Sequence, residues 1–177
     1  MSLCLVGSEM CIRDSCNFAN LSESRGYTRP KISKEKIIDI VNGRHPVVEE
    51  SLKKDGDDFT PNDCLMTSEN NIWIMTGPNM AGKSTFLRQT AVIILLNQIG
   101  CYVPADKSTL GIFDKIFTRI GASDDLSLGL STFMTEMVET SRIINEASES
   151  SLVILDELGR GTSSEDGFAI AFSVLEY

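Results

Sequence analysis

The segment Gly77-Pro78-Asn79-Met80-Ala81-Gly82-Lys83-Ser84 fits the pattern G-x-x-x-x-G-K-[ST], and its neighbours are those the pattern requires. Before it stands the apolar run Ile72-Trp73-Ile74-Met75-Thr76, which reads as a buried strand. After it, residues 84–99 read as a helix, apolar nearly all round and therefore deeply buried. A strand that turns through glycines into a helix is built to hold an anion. Glycines let backbone N–H groups turn inward onto phosphate oxygens, and the helix N-terminus adds partial positive charge. In such a loop Lys83 would reach the β- and γ-phosphates of a nucleotide, and the Ser84 hydroxyl would ligate Mg²⁺.

The second signal is Leu152-Val153-Ile154-Leu155 followed by Asp156-Glu157. Four unbroken apolar residues suit a parallel strand buried on both faces. A carboxylate at the carboxyl end of that strand is expected beside the phosphate loop. Asp156 would hold the Mg²⁺ shell, mostly through water, and Glu157 would polarise the attacking water. Residues 116–120 read as a strand ending at Gly121. Residues 133–147 read as an amphipathic helix with Met134, Met137, Val138, Ser141 and Ile144 on one face. Glu136, Glu139, Arg142 and Glu146 lie off that face. A further helix starts near Ser164. Strands alternating with helices predict an α/β layered fold.

The chain has 177 residues, 42% of them hydrophobic, enough for one core without disulfide or metal staples. Sixteen Lys+Arg against 25 Asp+Glu leave a net charge of −9, which argues against a nucleic-acid-binding surface on this segment alone. No apolar run approaches the length of a membrane-spanning helix. The five cysteines show no CxxC spacing and the only histidine is His45, so a Cys/His zinc site is not expected. The thiols read as free, in a reducing compartment. The short apolar start has no basic flank of the secretory kind, which predicts an intracellular protein.

Residues 1–15, MSLCLVGSEMCIRDS, have no clear period and read as a non-native leader, with a flexible terminus as the alternative. Residues 16–30 begin helix-like and stop at Gly26 and Pro30. Residues 37–41 read as a strand, Asn42-Gly43 as a turn, 44–48 as extended, and 53–63 as loop.

TGPNMAGKST, GASDDL, STFMTEM and LDELGRGTSSEDG, in that order, resemble the ATPase domain of the MutS family of DNA mismatch-repair proteins. GRHPVVE and FTPND match as well, so the resemblance runs from about Cys16 to Tyr177. It implies a P-loop NTPase with an ABC-ATPase-like layered fold, truncated before its last strands. It makes residues 16–40 the end of a preceding helical lever or core domain, and 41–177 the ATPase domain. Mismatch-binding and clamp domains would lie N-terminal, and the family's switch histidine beyond Tyr177. His45, in Arg-His-Pro, is then structural.

The resemblance also implies a site. Gly77, Pro78, Asn79, Met80, Ala81, Gly82, Lys83, Ser84 and Thr85 would bind ATP, with Asn79 near the γ-phosphate and Phe59 stacked on adenine. Ser84 and Asp156 would hold Mg²⁺. Glu157 would be the general base, assisted by Lys83 and, from a second subunit, by Ser131. Ser131, Thr132, Arg160, Gly161 and Thr162 would form the dimer interface. Ser131 or Thr132 also suits a helix cap. Leu130 stands where many members have Arg. Implied partners are mismatched double-stranded DNA through other domains, a second MutS-type subunit and a MutL-type protein, with no membrane. Hydrolysis would drive a clamp on DNA, and this segment alone would turn over ATP negligibly. The location implied is cytoplasmic for a bacterial member, nuclear or mitochondrial for a eukaryotic one. The alternative is a nucleotide-gated recombination scaffold of the same superfamily. Another ABC-type ATPase would need coiled-coil heptads, and none appear.

Overall fold

A computed structural model describes the backbone of residues 2–120 and 132–177, and side chains from residue 11 onward within those ranges. The chain divides into two units, Met1–Ile112 and Phe113–Tyr177. No helix among the described residues is long and apolar enough to cross a membrane.

In the first unit, helix α1 (Ser2–Arg25) runs without a break across residues 15 and 16. Four strands follow: β1 (Lys31–Ile32), β2 (Ile38–Gly43), β3 (Asn62–Met66) and β4 (Lys107–Leu110), in the sheet order β1-β4-β2-β3. The central strand β2 is antiparallel to both β3 and β4, and β1 is parallel to β4. Ile38 and Ile40 alternate inward from β2, as period-2 patterning demands. Helix α3 (Lys83–Gln98) packs on β2 and buries Ile93 and Ile94 completely. Each such isoleucine is worth about 1.5–3 kcal/mol of apolar burial. Val103, Leu110, Cys64 and Cys101 complete this core.

Asn42 and Gly43 end β2 instead of forming a separate turn, and three further expectations change here. Residues 44–48 are not extended: helix α2 (Pro46–Asp55) starts there, with Pro46 at its first position and the His45 ring accepting the Val48 N–H at 3.4 Å. Proline's fixed φ suits a helix start and its missing N–H is not needed there. Gly56, left-handed at φ 86°, closes the helix. His45 is thus a structural cap, and burial holds its pKa below the ordinary 6.5. Arg44 beside it pairs with Glu49 at 2.9 Å and donates to the Gly26 carbonyl at 3.0 Å, joining α2 to the end of α1.

Second, residues 72–76 form no strand. A strand needs a ladder partner, and no strand pairs with this run among the described residues. Ile72, Trp73, Ile74 and Met75 are consequently exposed. Third, α3 is not buried all round, since Leu95 and Ile99 at its end face solvent.

In the second unit, β5 (Ile116–Ile120) pairs in parallel with β6 (Leu152–Asp156), Ile116 opposite Leu152 and Ile120 opposite Asp156. Helix α4 (Thr132–Glu146) packs on β5, and α5 (Ser164–Glu176) follows β6, its N-terminus capped by Ser163. The Ser148 and Ser151 hydroxyls donate to Asp114 at 2.6 and 2.8 Å, clamping the turn into β6. These bonds hold the Asp114 carboxyl below its ordinary pKa. β6 is buried on one face only: Leu152 and Ile154 are inside, Val153 is exposed.

The inward face of α4 also differs from expectation. Glu136, Thr140 and Ile143 are buried, whereas Met134 and Val138 are exposed. Hydrogen bonding outweighs hydrophobic periodicity here. Glu139 pairs with the buried Arg119 of β5 at 2.8 Å, and Glu136 accepts a backbone N–H from the turn after β6.

Candidate functional site

The residues expected to form a phosphate loop lie together in the first unit. Residues 79–82 form a tight turn that leads directly into α3. Gly82 is the residue before the helix, with φ 87°, and no side chain caps it. A Cβ at Gly82 would meet nothing within 4 Å, so glycine is needed there for its backbone conformation, not for space. Met80 adopts φ 64°, a strained conformation for a long side chain, and is fully exposed. The first N–H groups of α3 are therefore presented at the loop without a side-chain acceptor.

The Lys83 ammonium folds back over this loop and donates to the carbonyls of Gly77 at 2.6 Å and Pro78 at 2.7 Å. The loop is thereby closed around its own cation, with Gly77, Pro78, Asn79, Met80, Ala81 and Gly82 all exposed. Ser84 and Thr85, in the first turn of α3, are half-buried. Phe59 lies half-buried in the irregular segment between α2 and β3. An aromatic pair that sequence reasoning missed is Trp73 on Phe86, with ring centroids 6.2 Å apart and planes within 4°. It anchors the exposed apolar run to the first turn of α3.

The acidic pair lies in the second unit. Asp156 ends β6 and is half-buried. Glu157 is exposed, with φ 57°, and its carboxylate pairs with Arg160 at 2.5 Å. Residues 158–161 form the turn that follows. Gly159, buried at φ 83°, packs against Gly167 so closely that a Cβ would lie 2.6 Å from the Gly167 Cα. A Cβ on Gly161 would lie 2.9 Å from the Cα of Phe133 in α4. Thr162 is half-buried just before the α5 cap, and Thr132 opens α4. Ser131, Leu130 and Gly121 lie outside the described residues.

Sequence reasoning also missed Glu136. Only 1% of it is exposed, and its carboxylate accepts the Gly159 N–H at 2.6 Å. A glutamate among exposed charges gave no signal of this, because its partner is a backbone group 23 residues away.

These observations define a mixed α/β chain with a glycine-rich turn at an uncapped helix N-terminus and an acidic pair at the end of a parallel strand. Residues 73–177, more than half of the chain, match the MutS domain V family, and the chain belongs to that family. The DNA mismatch repair protein MutS of Orientia tsutsugamushi (strain Ikeda) is 57% identical over 162 residues. That alignment covers 92% of this chain and 18% of the relative. MutS of Rickettsia bellii (strain RML369-C) is likewise 57% identical over 162 residues. MutS of Rickettsia akari (strain Hartford) is 52% identical over 174 residues, 98% of this chain and 20% of the relative. The chain thus spans about a fifth of the length of these relatives.

Proposed function

We propose that this chain is the ATP-binding and ATP-hydrolysing module of a MutS-type mismatch repair protein, and that its ATP state controls a clamp on mismatched DNA held by other domains. The observation that carries the reading is the N-terminus of α3, uncapped behind a left-handed glycine, with Lys83 folded over the loop it opens. Unsatisfied N–H groups and a positive helix end suit phosphate oxygens. In this reading the backbone of residues 77–85 cradles the phosphates. Lys83 exchanges its two loop carbonyls for phosphate oxygens, and Asn79 contacts the outermost phosphate. Phe59 stacks on the base.

Among the described residues no group of three or more His, Cys, Asp or Glu could hold a metal ion. Mg²⁺ does not need one. It takes one or two protein ligands, completed by phosphate oxygens and water. The family resemblance gives that role to Ser84 and Asp156, whose hydroxyl and carboxylate are oxygen ligands of the kind Mg²⁺ takes. The ion would neutralise charge that develops on the phosphates. Glu157 takes the proton from the attacking water and passes it to solvent. Ser131, Thr132, Arg160, Gly161 and Thr162 face a second MutS-type subunit, from which Ser131 reaches the γ-phosphate. A MutL-type protein reads the resulting state.

The test is Glu157→Gln in the complete protein. The amide keeps the shape of the side chain and cannot accept the proton. ATP binding should persist while single-turnover hydrolysis slows by about 10²-fold or more. Hydrolysis at the wild-type rate would remove Glu157 from the role of base.

A further inference from the structure

We infer that Glu136 is a positioning residue: its buried carboxylate ties the turn after Asp156 to α4, so that Glu157 and the N-terminal turns of α4 hold one fixed mutual position. The catalytic consequence rests on the ATPase reading above, whereas the mechanical one stands on the geometry alone.

A buried carboxylate is costly unless hydrogen bonds compensate it. Glu136 is almost wholly buried, and its visible compensation is the Gly159 N–H at 2.6 Å. A charge-assisted bond of this kind is roughly twice as strong as a neutral one. The turn it grips is strained. Glu157 and Gly159 both have positive φ, at 57° and 83°. Gly159 adopts such an angle freely, but a left-handed residue with a side chain, as Glu157 is, persists only where its surroundings over-determine it.

Three contacts do so here: Glu136 with the Gly159 N–H, Gly159 against Gly167, and Gly161 against Phe133. Two of the three lead to α4, at Phe133 and Glu136. The direction of the Glu157 side chain follows from this backbone. Its ion pair with Arg160 cannot set it, because side chains 45% and 79% exposed form a weak, screened pair. The buried bond from Glu136 is the stronger constraint. It couples the residue proposed as base to the helix whose first turns are proposed to face the second subunit.

Glu136→Ala and Glu136→Gln separate the possibilities, because the Gln side-chain oxygen still accepts an N–H. In the 177-residue chain, amide hydrogen exchange at Gly159 should rise about tenfold in Glu136→Ala and return near the wild-type rate in Glu136→Gln. Amides of β6 serve as the control for folding and should stay protected in both. In the complete protein, Glu136→Ala should lower kcat by about 10-fold or more at unchanged KM for ATP, since a misplaced base costs rate and not binding. Glu136→Gln should recover most of it. Unchanged Gly159 exchange in Glu136→Ala overturns the inference. Faster exchange with unchanged kcat overturns the positioning role. A complete wild-type protein that neither binds nor hydrolyses ATP, with the Gly159 effect still present in Glu136→Ala, sinks the ATPase reading and upholds the coupling of the turn to α4.

Discussion

Replacing Gly159 with alanine should destabilise the second unit by about 3 kcal/mol, and the structure separates this into two parts. A left-handed backbone at φ 83° costs an L-residue about 1 kcal/mol. The added Cβ would also sit 2.6 Å from both the Cα and the carbonyl oxygen of Gly167, backbone atoms that cannot rotate away. Forced overpacking of that kind costs about 1–3 kcal/mol. Gly82→Ala is the matched control. Its φ is 87° but nothing lies within 4 Å of the new Cβ, so only the conformational part, about 1 kcal/mol, should remain. Native-state hydrogen exchange of the β6 amides reads the second unit. Fluorescence of Trp73, the only tryptophan, reads the first during urea denaturation. Gly159→Ala should accelerate global exchange in β6 about a hundredfold. Gly82→Ala should weaken the Trp73 transition by the smaller amount. A Gly159→Ala protein whose β6 amides exchange within about threefold of wild type would refute the packing argument.

Burial holds the His45 pKa below 6.5, so the folded state prefers the neutral ring that caps α2. The stability it contributes is complete above the unfolded pKa and is lost as pH falls through the lowered folded value. The first unit should therefore weaken as pH falls below about 7 more in wild type than in His45→Asn, which caps without titrating. Equal losses by Trp73-monitored denaturation would contradict this. Burial pushes the Cys64 thiol up to about 11, so at about pH 8 a thiol reagent should spare it while labelling the exposed Cys11 and Cys16. Native labelling of Cys64 as fast as Cys16 would be inconsistent with that core. With a net charge of −9, the chain should bind matched and mismatched duplexes equally weakly, and anisotropy showing a clear preference for the mismatch would overturn that expectation.

What could be read from the sequence was what short-range chemistry dictates. The glycine-rich turn, the helix it opens, the strand at 116–120, the acid pair ending β6 and the helix from Ser164 depend on a few adjacent residues, and they form as expected. The run at 72–76 reveals a demand for burial but not a partner, and a strand exists only with a partner. β4, Lys-Ser-Thr-Leu, carries almost no hydrophobic signal, and its place beside β2 is a tertiary fact. Arg44-His45-Pro46 reads as extended, yet the same residues suit a helix start, with Pro46 in the first turn and His45 as the cap. Glu136 was least legible. Its burial is decided by a backbone N–H from a distant turn, and periodicity placed the opposite face of α4 inward.

The central claim, that residues 77–85 hold the phosphates of ATP, is tested most directly by titrating a fluorescent ATP analogue with Mg²⁺ against wild type and Lys83→Ala. Lys83 donates to the Gly77 and Pro78 carbonyls, so its loss removes both the cation for the phosphates and the link that closes the loop. Circular dichroism of both proteins verifies that α3 persists. Wild type should bind saturably and be competed by unlabelled ATP. Lys83→Ala should lose affinity by at least about tenfold, the scale of one charge-assisted contact to phosphate. Equal affinity in the two proteins, with the helix intact, would contradict the account.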